Sequence, residues 1–547
     1  MQGPFVRNGK TLLSGIDPVR RAERTADAVA VKDRTLYFCP SPLYGYGLDR
    51  LLERLAAEAP DSAVLCVEAD AELFELSCNS TAPSLARNKN LRITNICEEA
   101  ALCALVRESW GALKFRRLET VRLTGGWQLF PELYGSLCET LRREIASDWG
   151  NAMTLAKLGR LYIRNALVNL SLVPRFPSIE KLSFGEPPVL VLGAGPSLDE
   201  TLDALQRRFR ESLRLPESRP FRIICVDTCL GALKDRNISP DLAVILESQH
   251  WNLRDFTGCR NWNVASAVDF SALPASARVL GGEGFLFMTP WTILRIFDRL
   301  KDAGLLPAVI PPLGSVGLTA VEIARRTSGG KIILAGIDFS FGLDKYHARA
   351  AAGHRAKLNA HTRFRGLLNA AAYASSFAAV SKSALSVRTN RVMQNYRDLF
   401  EREFAHDTRL FDISGTGLPL GVKTLSMDEA LSLLDGDFFY HEPSRTNTNI
   451  KEERELLTEK VLAFYDGEIA RLKELRDILT GEAATHHGRL NALVYECDYL
   501  WAHFPDYSGG RRPELEENSS GTVSFLKRVR TEIDPMLRLI ERIGKNI

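Results

Sequence analysis

The chain lacks the features that mark membrane, secreted and nucleic-acid-binding proteins. No apolar run approaches the roughly 20 residues needed to cross a bilayer, so no membrane span is expected. Met1–Gly15 carries basic residues without a sustained apolar core and does not read as a secretory leader. The 10 cysteines are scattered, without a C-x-x-C pair. Cys225 and Cys229 come nearest, and Cys225 lies in an apolar strand pattern. This usage points to reduced, structural thiols. An excess of one charge sign is also missing. The net charge of +3 leaves no bulk field to draw nucleic acid. No repeat or low-complexity tract is evident. The expectation is a cytoplasmic protein with neither nucleic acid nor membrane as partner. The triplet Asp435-Gly436-Asp437 lies away from the glycine motifs and reads as a turn, so no metal site is expected.

Hydrophobic residues make up 45% and charged residues 25%, both ordinary for globular chains. A chain of 547 residues is too long for one core and suggests about three domains. The first, residues 1–149, reads as Rossmann-like. A strand Thr35–Cys39 leads through Ser41–Gly47 into a helix Leu48–Ala57, and a strand Ala63–Val67 ends at Glu68. Gly45, Gly47 and Glu68 could serve a nucleotide or S-adenosylmethionine. The preferred reading is a scaffold with a degenerate pocket. Residues 150–440 hold a helical connector and a doubly wound parallel sheet. In the connector, Ala152, Leu155, Leu158, Tyr162, Ala166 and Leu170 form an apolar face. Residues 441–547 read as a helical bundle. A polar linker Ser444–Asn449 precedes it and a flexible loop covers Ser508–Gly521. The bundle could mediate homo-oligomerisation, grip a protein acceptor, or simply pack on the central domain.

The central region holds the most informative residues. Val189–Leu192 reads as a buried parallel strand, and Gly193-Ala194-Gly195-Pro196-Ser197 follows it before a helix. Glycines allow a sharp turn and a close approach, Ser197 can cap the helix, and free amides at a helix start attract phosphate. Phe221–Asp227 is a second strand ending in an acid, and Leu242–Leu246 a third, ending at Glu247. Gly314, Ser315 and Gly317 precede another helix that carries Thr319. Lys331–Asp338 is a strand with an acid at its exit. Such groups gather at the carboxyl edge of a parallel sheet, where these folds bind ligands. Each acid could equally cap a helix or turn.

The stretch from Asp344 to Arg365 concentrates cations and contains His347, His354 and His361. On a helix these histidines would share a face about 10.5 Å apart, too far for neighbours to chelate one metal. A positive lid over an anionic donor fits better than a zinc site. A solvated basic helix is the plain alternative.

Gly193–Asp199, Val226-Asp227, Ile238-Ser-Pro-Asp241, Gly314–Gly317, Ala335–Asp338, Tyr346-His347-Ala348 and Ile413–Pro419 occur in this order. On these motifs the chain resembles the motility-associated factor (Maf) family of bacterial flagellin glycosyltransferases. The wider group, with its MptE-like central domain, includes an archaeal hydroxymethyl-dihydropterin pyrophosphokinase. The central domain is also similar to bacterial sialyltransferases that use CMP-activated nonulosonic acids. Their patterns carry Asn where this chain has Ala194 and Asp227, and Tyr where it has Ser340. The resemblance implies transfer of a nonulosonic acid (pseudaminic, legionaminic or sialic-type) from its CMP derivative to Ser or Thr of flagellin, with no cofactor required. It implies donor binding by Gly193, Gly195, Pro196, Ser197, Asp227, Glu247, Gly314, Ser315 and Thr319. Tyr346 would hold the leaving phosphate, and His347 would act as base. His354 and His361 stay open as the base, with Asp338 next in line. Two alternatives stay open. One is a pterin pyrophosphokinase holding magnesium on Asp227, Glu247 and Asp338. The other is a non-catalytic flagellin-binding export factor.

Overall fold

The computed structural model describes residues 5–80, 85, 87–111, 113–343, 345–364, 366, 375–436, 450–481, 487–505 and 520–547. The expected linker Ser444–Asn449, Asp437, and the loop from Ser508 to Ser519 lie outside the described residues. Contacts divide the chain into two compact units, the first running to Leu158 and the second starting at Gly159. The second takes in the helix Ser520–Gly544 as well as the central sheet.

The first unit opens with a hairpin, β1 (Phe5–Arg7) and β2 (Lys10–Leu13). Its sheet contains β3 (Thr35–Pro40), β4 (Ala63–Val67), β5 (Leu91–Thr94) and β6 (Arg117–Thr120), ordered β5-β4-β3-β6 and all parallel. β3 and β4 are buried along their whole length, which is why they read as unbroken apolar runs. The helix Leu48–Glu58 buries Leu48, Leu51, Leu52 and Leu55 on one face. Glu68 at the exit of β4 is fully buried and accepts hydrogen bonds from Ser41 Oγ (2.6 Å) and Tyr134 Oη (3.3 Å). Burial pushes its carboxyl up, against these hydrogen bonds. Its carboxylate is thus engaged by protein donors.

The second unit is built on eight parallel strands. They are β7 (Val189–Leu192), β8 (Arg222–Val226), β9 (Leu242–Ile245), β10 (Val264–Asp269), β11 (Gly281–Phe287), β12 (Ile332–Ala335), β15 (Leu410–Ile413) and β16 (Lys423–Leu425). A separate antiparallel hairpin pairs β13 (Phe377–Val380) with β14 (Ser386–Thr389). The order of the main sheet is β11-β10-β9-β8-β7-β12-β15-β16. From β7 the chain winds outward through β11, then returns to lay β12 against the other side of β7. The switch point of this doubly wound sheet therefore falls between β7 and β12, where open α/β sheets form their ligand crevice.

The apolar connector face belongs to one 40-residue helix, Pro131–Leu170. Its last turns carry two buried asparagines. Asn165 Nδ2 donates to the carbonyls of Ser248 and Ser271, both at 3.0 Å, and Asn169 Nδ2 to those of Phe270 and Ala272. These bonds hold the loops that leave β9 and β10. The helices Ile450–Thr480, His487–Glu496 and Ser520–Gly544 belong to the same unit. Tyr465 Oη donates to the Leu167 carbonyl at 2.6 Å, and buried Glu468 pairs with Arg299 at 2.7 Å. Among the described residues, no helix is long and apolar enough to cross a membrane.

Candidate functional site

Three loops meet at the switch point. Gly193–Ser197 leaves β7, Gly336–Asp338 leaves β12, and Ser414–Gly417 leaves β15. Their backbones touch. A Cβ on Gly193 would lie 2.4 Å from the Gly336 carbonyl oxygen, and one on Gly415 would lie 3.3 Å from Ser197 Cβ. Gly336 takes a left-handed φ of +68°, which favours glycine, and a Cβ there would meet the Gly193 carbonyl oxygen at 2.3 Å.

Asp338 ties the glycine turn down. It is 2% exposed. It accepts the Ser197 amide on Oδ2 at 2.8 Å and the Ser197 hydroxyl on Oδ1 at 2.6 Å. A Cβ on Gly195 would sit 2.4 Å from Asp338 Oδ2. Gly195 is thus a glycine because Asp338 approaches it, which corrects the expectation that a phosphate does. The expectation of free amides changes too. The amides of Gly193 and Gly195 donate to Ala335 and Gly336, that of Leu198 donates to Gly195, and that of Ser197 is held by Asp338. Ser197 makes no side-chain cap of its helix, because its hydroxyl is spent on Asp338. With both oxygens engaged, Asp338 is a positioning residue here and is not placed to take a proton.

A buried ion pair backs this arrangement. Lys382 Nζ lies 2.7 Å from both oxygens of Asp412, and the two side chains are 3% and 2% exposed. The Lys382 amide donates to the Gly417 carbonyl. Burial and the charge of Asp338 push the Asp412 carboxyl up, while Lys382 pulls it down. Sequence reading missed this pair, since a lone lysine in a β-hairpin turn carries no motif.

The segment Lys345–Ala351 forms a strap across the glycine turn. The Ala348 amide donates to the Ala194 carbonyl at 3.0 Å, and Lys345 Nζ donates to the Pro196 carbonyl at 2.8 Å. Asp199, at the start of the helix Leu198–Phe209, pairs with Lys345 at 2.5 Å and with Arg236 at 3.0 Å. Burial alone would raise the Asp199 carboxyl, but these partners hold it below the usual range. The three histidines do not share a helix face. The helix spans Ala352–Asn359 and carries only His354. His347 lies in the strap before it, and His361 is exposed beyond it.

His347 Nδ1 is buried and has no hydrogen-bond partner among the described residues. Burial, then Lys357, His354 and Arg254, bring its pKa down to about 4, so the imidazole is neutral at pH 7. Tyr346 stacks on Phe341 with ring centroids 4.4 Å apart, and burial raises its hydroxyl. Lys357 Nζ lies 2.9 Å from the centroid of the Tyr346 ring.

The other expected contacts separate into exposed and spent groups. Ser315 precedes the helix Val316–Thr327, is partly exposed, and makes no capping bond. Gly314 has φ +69°, and a Cβ there would press on Tyr396 at 2.9 Å. Thr319 is fully buried with its hydroxyl donated to the Ser315 carbonyl at 3.2 Å, which corrects its assignment to the donor. Asp227 is buried and accepts from Thr228 and from Asn252 Nδ2 at 2.7 Å. Burial raises its carboxyl despite those bonds. It shapes the turn His250–Phe256 and is not open to a ribose. Glu247 is exposed at the rim and accepts the Gln249 amide. Asp227, Glu247 and Asp338 do not form a metal-ligating group, and no cluster of three His, Cys, Asp or Glu among the described residues could hold a metal ion.

Residues 162–344 match the family described as 6-hydroxymethylpterin diphosphokinase MptE-like. An uncharacterized protein of Treponema pallidum (strain Nichols) is 29% identical over 553 residues, covering 96% of this chain and 91% of that relative. The solved structure of a Maf glycosyltransferase from Magnetospirillum magneticum AMB-1 superposes with a TM-score of 0.51 at 14% identity, covering 99% of this chain and 84% of the other. The sequence match thus gives residues 162–344 an MptE-like domain, and the likeness to the solved structure is one of fold.

Proposed function

We propose that this protein is a glycosyltransferase that moves a nonulosonic acid, of pseudaminic, legionaminic or sialic type, from its CMP-activated donor to Ser or Thr hydroxyls of flagellin. The observation that carries the reading is the convergence of the three loops at the switch point under a strap bearing Tyr346 and His347. The fold shared with a Maf glycosyltransferase supports the same class.

In this reading the donor lies at the carboxyl edge, between the strap and the start of the helix Val316–Thr327. The Ser315 hydroxyl meets its phosphate. The acceptor oxygen attacks the anomeric carbon, and the bond from that carbon to the phosphate oxygen breaks. The electron pair leaves with CMP, steadied by the Tyr346 hydroxyl. The acceptor proton passes to His347 Nδ1, which is neutral and without a hydrogen-bond partner among the described residues. Lys357 and Arg254 depress the histidine, and an anionic donor offsets both charges, so donor binding makes His347 a stronger base.

Titration with CMP, ATP and S-adenosylmethionine, with and without magnesium, tests the reading. CMP binding without metal is expected. Magnesium-dependent ATP binding would instead support a pterin diphosphokinase, the activity in the matching family's description. That reading would require Asp227 or Asp338 to give up its present hydrogen bonds. Binding of none of the three would support a non-catalytic flagellin-binding export factor.

A further inference from the structure

Lys357 differs from Lys345, Arg236 and Arg355. Lys345 and Arg236 are matched by Asp199, and Arg355 lies 3.9 Å from Asp235. Lys357 is half-buried, and among the described residues no carboxylate lies within ion-pair distance of it. Tyr346 lies under its ammonium and His347 feels its charge, His354 and Arg355 share its helix, and the turn His250–Phe256 packed on that helix brings Arg254 and Asp255, with Asp235 beyond Arg355. Neither acid is paired with Lys357. An ammonium taken partly out of water without a counter-ion is costly, and the Tyr346 ring face offsets part of that cost.

We propose that Lys357 is an anion anchor, its ammonium held on the Tyr346 ring until it pairs with the phosphate of a phosphate-ester ligand. The proposal rests on the nucleotide-sugar reading above and adds the residue that provides the counter-charge. Burial supports it by bringing the Lys357 pKa down to about 8. His347 titrates near 4 and Tyr346 above its ordinary 10.0, so neither changes charge between those values. The ammonium is present below its pKa, so anion affinity is full there and is lost as pH rises through it.

The test is calorimetric titration of wild type, Lys357→Met and Lys357→Arg with CMP and with ribose 5-phosphate, in magnesium-free buffer. Wild-type affinity for CMP should fall about fivefold between about pH 8 and about pH 9. Lys357→Arg should keep its affinity across that range, because guanidinium stays charged. Lys357→Met should bind roughly 5–30-fold more weakly and without that pH dependence. Wild-type affinity in Lys357→Met, or the wild-type pH loss in Lys357→Arg, would overturn the anchor. Binding of ribose 5-phosphate that depends on Lys357, with no binding of CMP, would overturn the CMP reading and uphold the anchor. Failure of wild type to bind either probe would overturn the anchor.

Discussion

Ser197 donates its amide and its hydroxyl to the two carboxylate oxygens of Asp338, at 2.8 and 2.6 Å, across 141 positions of sequence. This two-point clamp joins the exits of β7 and β12 on either side of the switch point. It explains why glycine is required at 195. Gly195→Ala should destabilise the protein by about 1–3 kcal/mol without any ligand present, because the new methyl presses on a fixed carboxylate. Urea unfolding checks this. Unchanged stability with lost nucleotide binding would mean that the glycine serves the ligand directly.

The Lys382–Asp412 pair gives a second expectation. Lys382→Met strands a buried carboxylate beside Asp338 and should cost about 3–5 kcal/mol. Lys382→Met combined with Asp412→Leu should recover most of that loss in the same unfolding measurement. An additive loss would show that the two side chains do not act as a pair.

Ser315 and Thr319 should behave oppositely despite lying one helical turn apart. Ser315 keeps a partly exposed hydroxyl free of capping, whereas Thr319 spends its hydroxyl on the Ser315 carbonyl. Ser315→Ala should raise the donor dissociation constant roughly 5–30-fold. Thr319→Ser should leave it unchanged. Equal effects from both in a donor titration would place the ligand elsewhere on the helix.

The strap was legible as chemistry but not as geometry. The spacing of His347, His354 and His361 predicts a shared helical face, yet the chain turns at the Ala348–Ala351 bend and only eight residues, Ala352–Asn359, are helical. The tie from the Ala348 amide to the Ala194 carbonyl sets that path, and no periodicity encodes such a bond. The strands flanking the switch point were readable because Val189–Leu192 and Ile332–Ala335 are buried on both faces. β10 is interrupted by Ala265 and Ser266, and β11 begins Gly281-Gly-Glu-Gly, so neither shows a continuous run of large apolar residues. The strand-end acids stood out in the sequence, but their roles did not. Asp227 and Asp338 resemble ligand contacts until their hydrogen-bond partners Asn252 and Ser197 are seen.

The histidines separate by burial and by pH. His347→Ala should lower turnover about 100-fold, while exposed His361 should tolerate alanine without effect. In free enzyme the neutral, proton-accepting form of His347 is lost only as pH falls through about 4. The acidic limb of the kcat/KM profile should therefore lie near that value and disappear in His347→Ala. An acidic limb that persists in the variant would assign the base elsewhere.

The most direct measurement is intact-mass analysis of flagellin after incubation with this protein and a CMP-activated nonulosonic acid in metal-free buffer. The account predicts flagellin heavier by whole nonulosonic acid residues, release of one CMP per residue added, and loss of both in His347→Ala. Unmodified flagellin in the same mixture, with a diphosphorylated pterin formed when ATP, magnesium and 6-hydroxymethylpterin are supplied instead, would contradict it.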